Sequence, residues 1–216
     1  MIARIARFRF PSLRHREEAE HNGSERVGPS LAAQPGFQAI YFGRIAELEA
    51  FSISIFESRE ANERAAAIMN AQPLQPGQTP EMLPTPESVD FYDVVTSTVR
   101  DRVPAAGRLG HLTLASAKEP DAADRWGVDV FGPMLKEIPS VCQAYFLRSP
   151  DSEDRIALTF WDSADSMATG GSAIGAWQGR EAAAGRVPAF VGGDAFLLTD
   201  LRFAIAGVPV TMPATV

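Results

Sequence analysis

Val27–Phe42, VGPSLAAQPGFQAIYF, and Phe131–Phe146, FGPMLKEIPSVCQAYF, are the two stretches whose comparison decides the fold. Laid over one another without a gap, they are identical at Gly28/Gly132, Pro29/Pro133, Leu31/Leu135, Pro35/Pro139, Tyr41/Tyr145 and Phe42/Phe146. Unrelated stretches of this length would share about one residue. Upstream, Arg4-Ile5-Ala6-Arg7-Phe8 lies over Arg108-Leu109-Gly110-His111-Leu112 at the same spacing. Downstream, after a one-residue slip, Ser54-Ile55-Phe56-Glu57-Ser58 lies over Thr159-Phe160-Trp161-Asp162-Ser163. So long a period does not fit a solenoid, whose repeats are a few tens of residues, and it fits a duplicated domain. The division expected is residues 1–103 and 104–216, with the seam at Arg100–Gly107.

Each copy reads as β-α-β-β-α-β, so the fold class is α+β. First strands are predicted over Ile2–Phe10 and Arg108–Ser116 from their alternating apolar positions. In the second copy Pro120 suits the first position of a helix on which Trp126, Val130, Met134 and Ile138 share one side. The Gly-Pro pair inside each first helix should bend or interrupt it, because proline has no amide hydrogen and crowds the preceding turn. Second strands follow over Phe37–Gly43 and Val141–Arg148, and third strands over Ala50–Phe56 and Arg155–Trp161. Ser58 and Ser163 stand where helix N-caps belong, with Glu60 and Asp165 in the first turns. The second helices then run over Arg59–Asn70 and from Ala164 onward. Gly170, Gly171 and Gly175 predict that the latter is frayed or broken. A proline-rich stretch, Pro73 to Pro86, reads as an extended surface loop before a last strand over Ser88–Val99. The other last strand is expected over Ala195–Ile205. A four-stranded sheet with two helices on one face leaves the other face apolar, and two such sheets facing each other would close an α/β barrel. Fusing the halves makes that pairing intramolecular; a homodimer is then an option rather than a requirement.

Composition narrows the function classes. A hydrophobic fraction of 45% and a charged fraction of 22% are those of a globular domain. A net charge of −7 argues against nucleic acid, which needs a concentrated basic surface. Arg4, Arg7, Arg9, Arg14 and Arg16 are followed at once by Glu17, Glu18 and Glu20, a mixed-charge surface rather than a phosphate site. Cys142 is the single cysteine, so no intrachain disulfide forms, and its apolar neighbours mark it as an inert small hydrophobe. No stretch has the roughly 18 apolar residues of a membrane span, and the N-terminus alternates arginine with apolar residues unlike a signal peptide. The expected location is cytoplasmic. His15 and His21 lie six apart, which turns them by about 600° to opposite sides of a helix, so no metal pair is expected there. Dinucleotide, Walker, His-Glu-x-x-His and paired-cysteine motifs are absent from the sequence, as is a nucleophile elbow.

Pro35-Gly36-Phe37 before an apolar strand, then Phe56-Glu57-Ser58, with Pro139 and Trp161-Asp162-Ser163 in the second copy, resemble the dimeric α/β-barrel superfamily. Within it the likeness is to the antibiotic biosynthesis monooxygenase-like domains. The resemblance covers both halves, and its motifs are short and mostly structural. It implies a pocket between sheet and helices, closed by the other half. It also implies a cofactor-independent monooxygenase that oxidises an aromatic or enolisable small molecule with O2. Trp161 matches the family tryptophan at the end of the third strand, and Phe56 takes that place in the first copy. The haem-degrading members pair an Asn on the first strand with a His on the second helix; here Gly110 or His111 and Gly171 stand in those regions.

The candidate catalytic residues are Trp161, which would orient an aromatic substrate, His111 as a base, and Tyr145. Trp126, Tyr41 and Phe56 are the candidate substrate contacts, with no metal and no cofactor. Each also has a structural reading: Trp161 as a core anchor, His111 as a half-buried residue with a partner, and Trp126 as part of its helix's apolar stripe. The equivalence of Tyr41 and Tyr145 points to a shared packing role. Two other functions stay open, a non-catalytic ligand-binding barrel and an oxygen-independent cyclase or isomerase.

Overall fold

The structure, a computed structural model, describes residues 1–71, 84–113, 120–185, 195–198 and 200–206. The first half runs β1 (Ile2–Arg9), α1 (Leu13–Asn22), α2 (Gly28–Ala32), β2 (Phe37–Ala46), β3 (Glu49–Phe56), α3 (Arg59–Asn70) and β4 (Ser88–Val99). The second runs β5 (Ala106–Thr113), α4 (Pro120–Trp126), α5 (Gly132–Lys136), β6 (Val141–Arg148), β7 (Asp154–Trp161) and α6 (Ala164–Ala183). It ends in β8 (Ala195–Leu198) and β9 (Asp200–Ala206). Each half is a ferredoxin-like β-α-β-β-α-β unit. Of the proline-rich stretch, Pro73, Pro76 and Pro80 lie outside the described residues, as do Leu114–Ser116 of the expected strand.

The two sheets close a barrel as expected, and they do so stitched edge to edge into one antiparallel ring, in the order β8-β5-β7-β6-β4-β1-β3-β2-β9. The twelve-residue β4 makes one join: Ser88–Asp93 pairs with β1, and Asp93–Val99 pairs with β6. The expected single strand over Ala195–Ile205 is two, one residue apart in the chain. β8 pairs with β5 of its own half and β9 with β2 of the other. With β8 and β9 following one another, the ring comes back on itself, which leaves few unpaired strand edges.

Strand alternation sends one set of side chains into the ring and the other toward the helices. Ile5, Tyr41, Ile53, Tyr145, Leu158 and Phe160, drawn from both halves, share the interior core. Tyr41 and Tyr145, equivalent across the repeat, meet there. The Tyr41 hydroxyl donates to Gln143 Oε1 at 2.7 Å, which leaves Tyr145 to donate to Tyr41 across 2.9 Å. Tyr41 also stacks on Phe160 with ring centroids 3.8 Å apart. A buried hydroxyl without a partner would cost about 1–3 kcal/mol, and this chain of donors avoids that cost. Burial pushes Tyr145 up to about 12 and Tyr41 well above its ordinary value.

The helices cover the outer face. Gly28 and Gly132 each donate to the carbonyl five residues back, closing π-helical turns over Gly23–Val27 and Gly127–Phe131. The expected interruption at Gly-Pro thus takes the form of a widened turn within a continuing helix, a standard way to absorb a missing amide donor. Trp126 packs on the outer face, with Val130, Met134 and Ile138 against the same cluster, as their spacing requires.

The expectation of a frayed last helix is overturned: α6 is continuous over twenty residues. Ser163 caps it, accepting from the Ser166 amide at 3.1 Å. The glycines serve packing instead. A Cβ on Gly170 would lie 2.2 Å from Cζ3 of Trp161, and one on Gly171 would lie 2.8 Å from Nη1 of Arg108. The helix backbone therefore lies directly on those two side chains. In the first half, Phe56 and Ala65 hold the places of Trp161 and Gly170 and pack in one cluster, the smaller ring leaving room for the methyl group.

Glycine to alanine ordinarily stabilises a helix interior by roughly 1 kcal/mol. Gly170→Ala should instead lower stability in chemical denaturation by about 1–3 kcal/mol through overpacking, and Trp161→Phe should restore most of the loss. A more stable Gly170→Ala protein would refute the contact. The tyrosines give a second test, because all three are raised, Tyr92 also sitting at about 12. Tyrosinate absorbance of the native protein should stay flat to about pH 11, whereas unfolded chains titrate near 10. Unfolding then releases protons above about pH 10, so stability should be level below that point and fall as pH rises beyond it.

Candidate functional site

A cleft of about 80 Å³ opens between the sheet and α6, and all its described lining comes from the second half. β5 supplies Arg108 and Gly110, and β7 supplies Ala157, Thr159 and Trp161. Opposite them stand Gly171, Ile174, Gly175 and Gln178 of α6, with Phe131 of the π turn at one side. A pocket between sheet and helices is what the resemblance implied, but the first half contributes nothing described to its closure.

Alternation along β7 sets the floor. Phe160 points into the ring onto Tyr41, whereas Trp161 points outward beneath α6 and is fully buried. The indole N–H donates to Thr159 Oγ1 at 3.0 Å. That bond fixes the ring plane and removes the indole donor from the ligand. Thr159, in turn, keeps its own hydroxyl hydrogen without an acceptor among the described residues. Trp161 thus forms part of the cleft wall as a buried ring, and the polar group at this point is the threonine hydroxyl.

Arg108 is the one charged side chain among the described lining residues. It is half-buried, its guanidinium lies against Gly171, and it has no ion-pair or hydrogen-bond partner among the described residues. Three other arginines that lean inward are paired. Arg155 donates to Asp124 at 2.8 Å, and Arg44 and Arg16 both meet Glu20. Arg4, the counterpart of Arg108 in the first half, is held below its ordinary pKa by burial.

The six residues singled out in the sequence fall into different places. Trp161 alone lines the cleft. Trp126 stands one layer behind, with its ring 5.4 Å from Phe131 and 6.2 Å from Trp177. Tyr41 and Tyr145 lie on the other side of the sheet, inside the ring. Phe56 is in the opposite half, buried edge-to-face against Phe37. His111 occupies the β5 position paired with Ile156, and its side chain lies outside the described part of the structure. Sequence reasoning missed Arg108, Thr159 and the Gly170-Gly171 pair. The alignment of Arg4 with Arg108, and two adjacent glycines on the helix after a tryptophan, carried the signal.

No family model and no curated protein matches the sequence. Solved structures do. A protein named as a monooxygenase from Fusobacterium nucleatum subsp. nucleatum superposes with a TM-score of 0.66 at 8% identity, covering 96% of this chain and 95% of its own. One of the same description from Lactobacillus acidophilus NCFM gives 0.61 at 10% identity, over 95% of this chain and 98% of its own. An anthrone oxidase-like protein gives 0.52 at 15% identity, over 100% of this chain and 96% of its own. Likeness at such identity is one of fold. The ring, its helices and these superpositions together give the chain the fold of these solved structures, a barrel-like sheet with two ferredoxin-like halves in one polypeptide.

Proposed function

We propose that this chain is a small-molecule enzyme of the monooxygenase-like barrel type, working at the cleft of its second half. The observation that carries the reading is the fitted pair of Trp161 and Gly170. Trp161 lines a cleft on one half with the helix backbone at Gly170 pressed onto its ring, where Phe56 and Ala65 hold the matching places in the other. An aromatic or enolisable substrate would lie against the Trp161 ring. Its activated C–H2 carbon, once deprotonated, would reduce O2 directly, and the balance is one CH2 and one O2 to one C=O and one H2O. In that scheme the protein supplies a water-poor surface together with donors for the developing oxyanion, namely Thr159, Gln178 and Arg108. His111 stands at the β5 position opposite Ile156 of the interior core, on the other face of the strand from Arg108 and Gly110, so it is not the base of this cleft. In this scheme neither metal nor flavin takes part.

A second reading has its own support. Arg108 is the only titratable group among the described lining residues, and a site without a base suits a ligand-binding barrel as well as an enzyme.

Oxygen uptake by the metal-stripped protein with a panel of anthrones and hydroquinones separates the two. The enzyme reading expects protein-dependent uptake that falls at least about tenfold in Trp161→Phe, a loss of roughly 1.4 kcal/mol of transition-state binding. Absence of uptake across the panel would leave the binding barrel or an oxygen-independent isomerase.

A further inference from the structure

We propose that the ligand of the cleft is an aromatic monoanion, with Arg108 as its counter-ion. This rests on the reading that the cleft is the ligand site and adds the chemistry that it selects. A guanidinium stays protonated at any accessible pH, so Arg108 brings one permanent positive charge into the cleft. Its flank is the helix backbone at Gly171, its surroundings include Trp161, Phe131 and Ile174, and no carboxylate lies among the described lining residues. A half-buried cation without a partner is costly, and an entering anion removes that cost while gaining a charge-assisted bond. The chain as a whole carries −7, so a site of local positive charge is a departure from its general surface.

Charge count and shape specify the ligand further. One cation, with no second basic group among the described lining residues, matches a single negative charge, a carboxylate or an ionised phenol or enol, and not a phosphate dianion. The planar fork of the guanidinium suits an oxyanion, and the hydroxyl of Thr159 is free to donate to the same group. The cleft holds about 80 Å³, less than the ~150 Å³ apolar cavity that encloses benzene. It therefore takes the anionic head and the leading edge of one ring on Trp161, with the remainder of the ligand projecting from the mouth.

Benzoate and benzamide, planar and nearly isosteric, test the proposal by calorimetric titration. Benzoate should bind at least about tenfold more tightly than benzamide at low salt, the preference shrinking as salt is raised. Arg108→Gln should abolish the preference, and Arg108→Lys should restore part of it. p-Nitrophenol, titrated below and above its own ionisation, distinguishes a phenolate from a carboxylate site. Equal affinities, no benzoate binding, or a preference surviving in Arg108→Gln would overturn the proposal. None of these measurements consumes oxygen. A benzoate preference without oxygen uptake keeps the anion site and discards the oxygenase, and uptake without the preference does the reverse.

Discussion

Every strand of a sheet has two hydrogen-bonding edges, and the structure depends on how the two outermost strands of each half use theirs. β4 is too long for one neighbour. At Asp93 it passes from pairing with β1 to pairing with β6, and the Arg148 guanidinium meets the Asp93 carboxylate at 2.9 Å at that crossing. β8 and β9 do the same work on the opposite side. The consequence is a ring in which each half completes the sheet of the other. A half taken alone would expose both an apolar face and bare strand edges. The interior tyrosine pair depends on that closure, because each ring comes from a different half.

Closure also decides where a ligand can go. The interior core is filled by side chains such as Tyr41, Tyr145 and Phe160, whereas the cleft beneath α6 lies on the outer face. There the two halves differ by matched substitutions. Phe56 with Ala65 gives a filled contact, and Trp161 with Gly170 gives a larger ring pressed onto bare helix backbone. The neighbouring glycine receives Arg108. Two adjacent glycines thus place an aromatic surface and a cation side by side, and β7 keeps this cleft apart from the tyrosines by a single strand's alternation.

Much of the fold was legible in the sequence because strands and caps obey local rules. Ser58 and Ser163 marked their helices, the strand periods marked the faces, and the repeat supplied the second copy of every argument. The closure was not legible, since whether β4 pairs with one neighbour or two depends on register across about fifty residues of intervening chain, which no local pattern encodes. The site was legible only in part. Trp161 stood out through a resemblance, whereas Arg108 appeared only as the first residue of a predicted strand, aligned with Arg4. Helix propensity alone makes the Gly170-Gly171 pair a weak point of α6, and tertiary packing against Trp161 and Arg108 outweighs that propensity. Grouping Tyr145 with Trp161 failed for a geometric reason: they lie on opposite faces of the sheet.

The central claim is that ligands meet this protein on Trp161, beneath α6, and not inside the ring. Nuclear magnetic resonance of 15N-labelled protein titrated with benzoate tests it most directly. The account predicts shifts at the Trp161 indole and at the Gly170 and Gly171 amides, with the amides of Tyr41 and Tyr145 unmoved. Shifts centred on the ring interior or on the Phe56 side of the first half would contradict it.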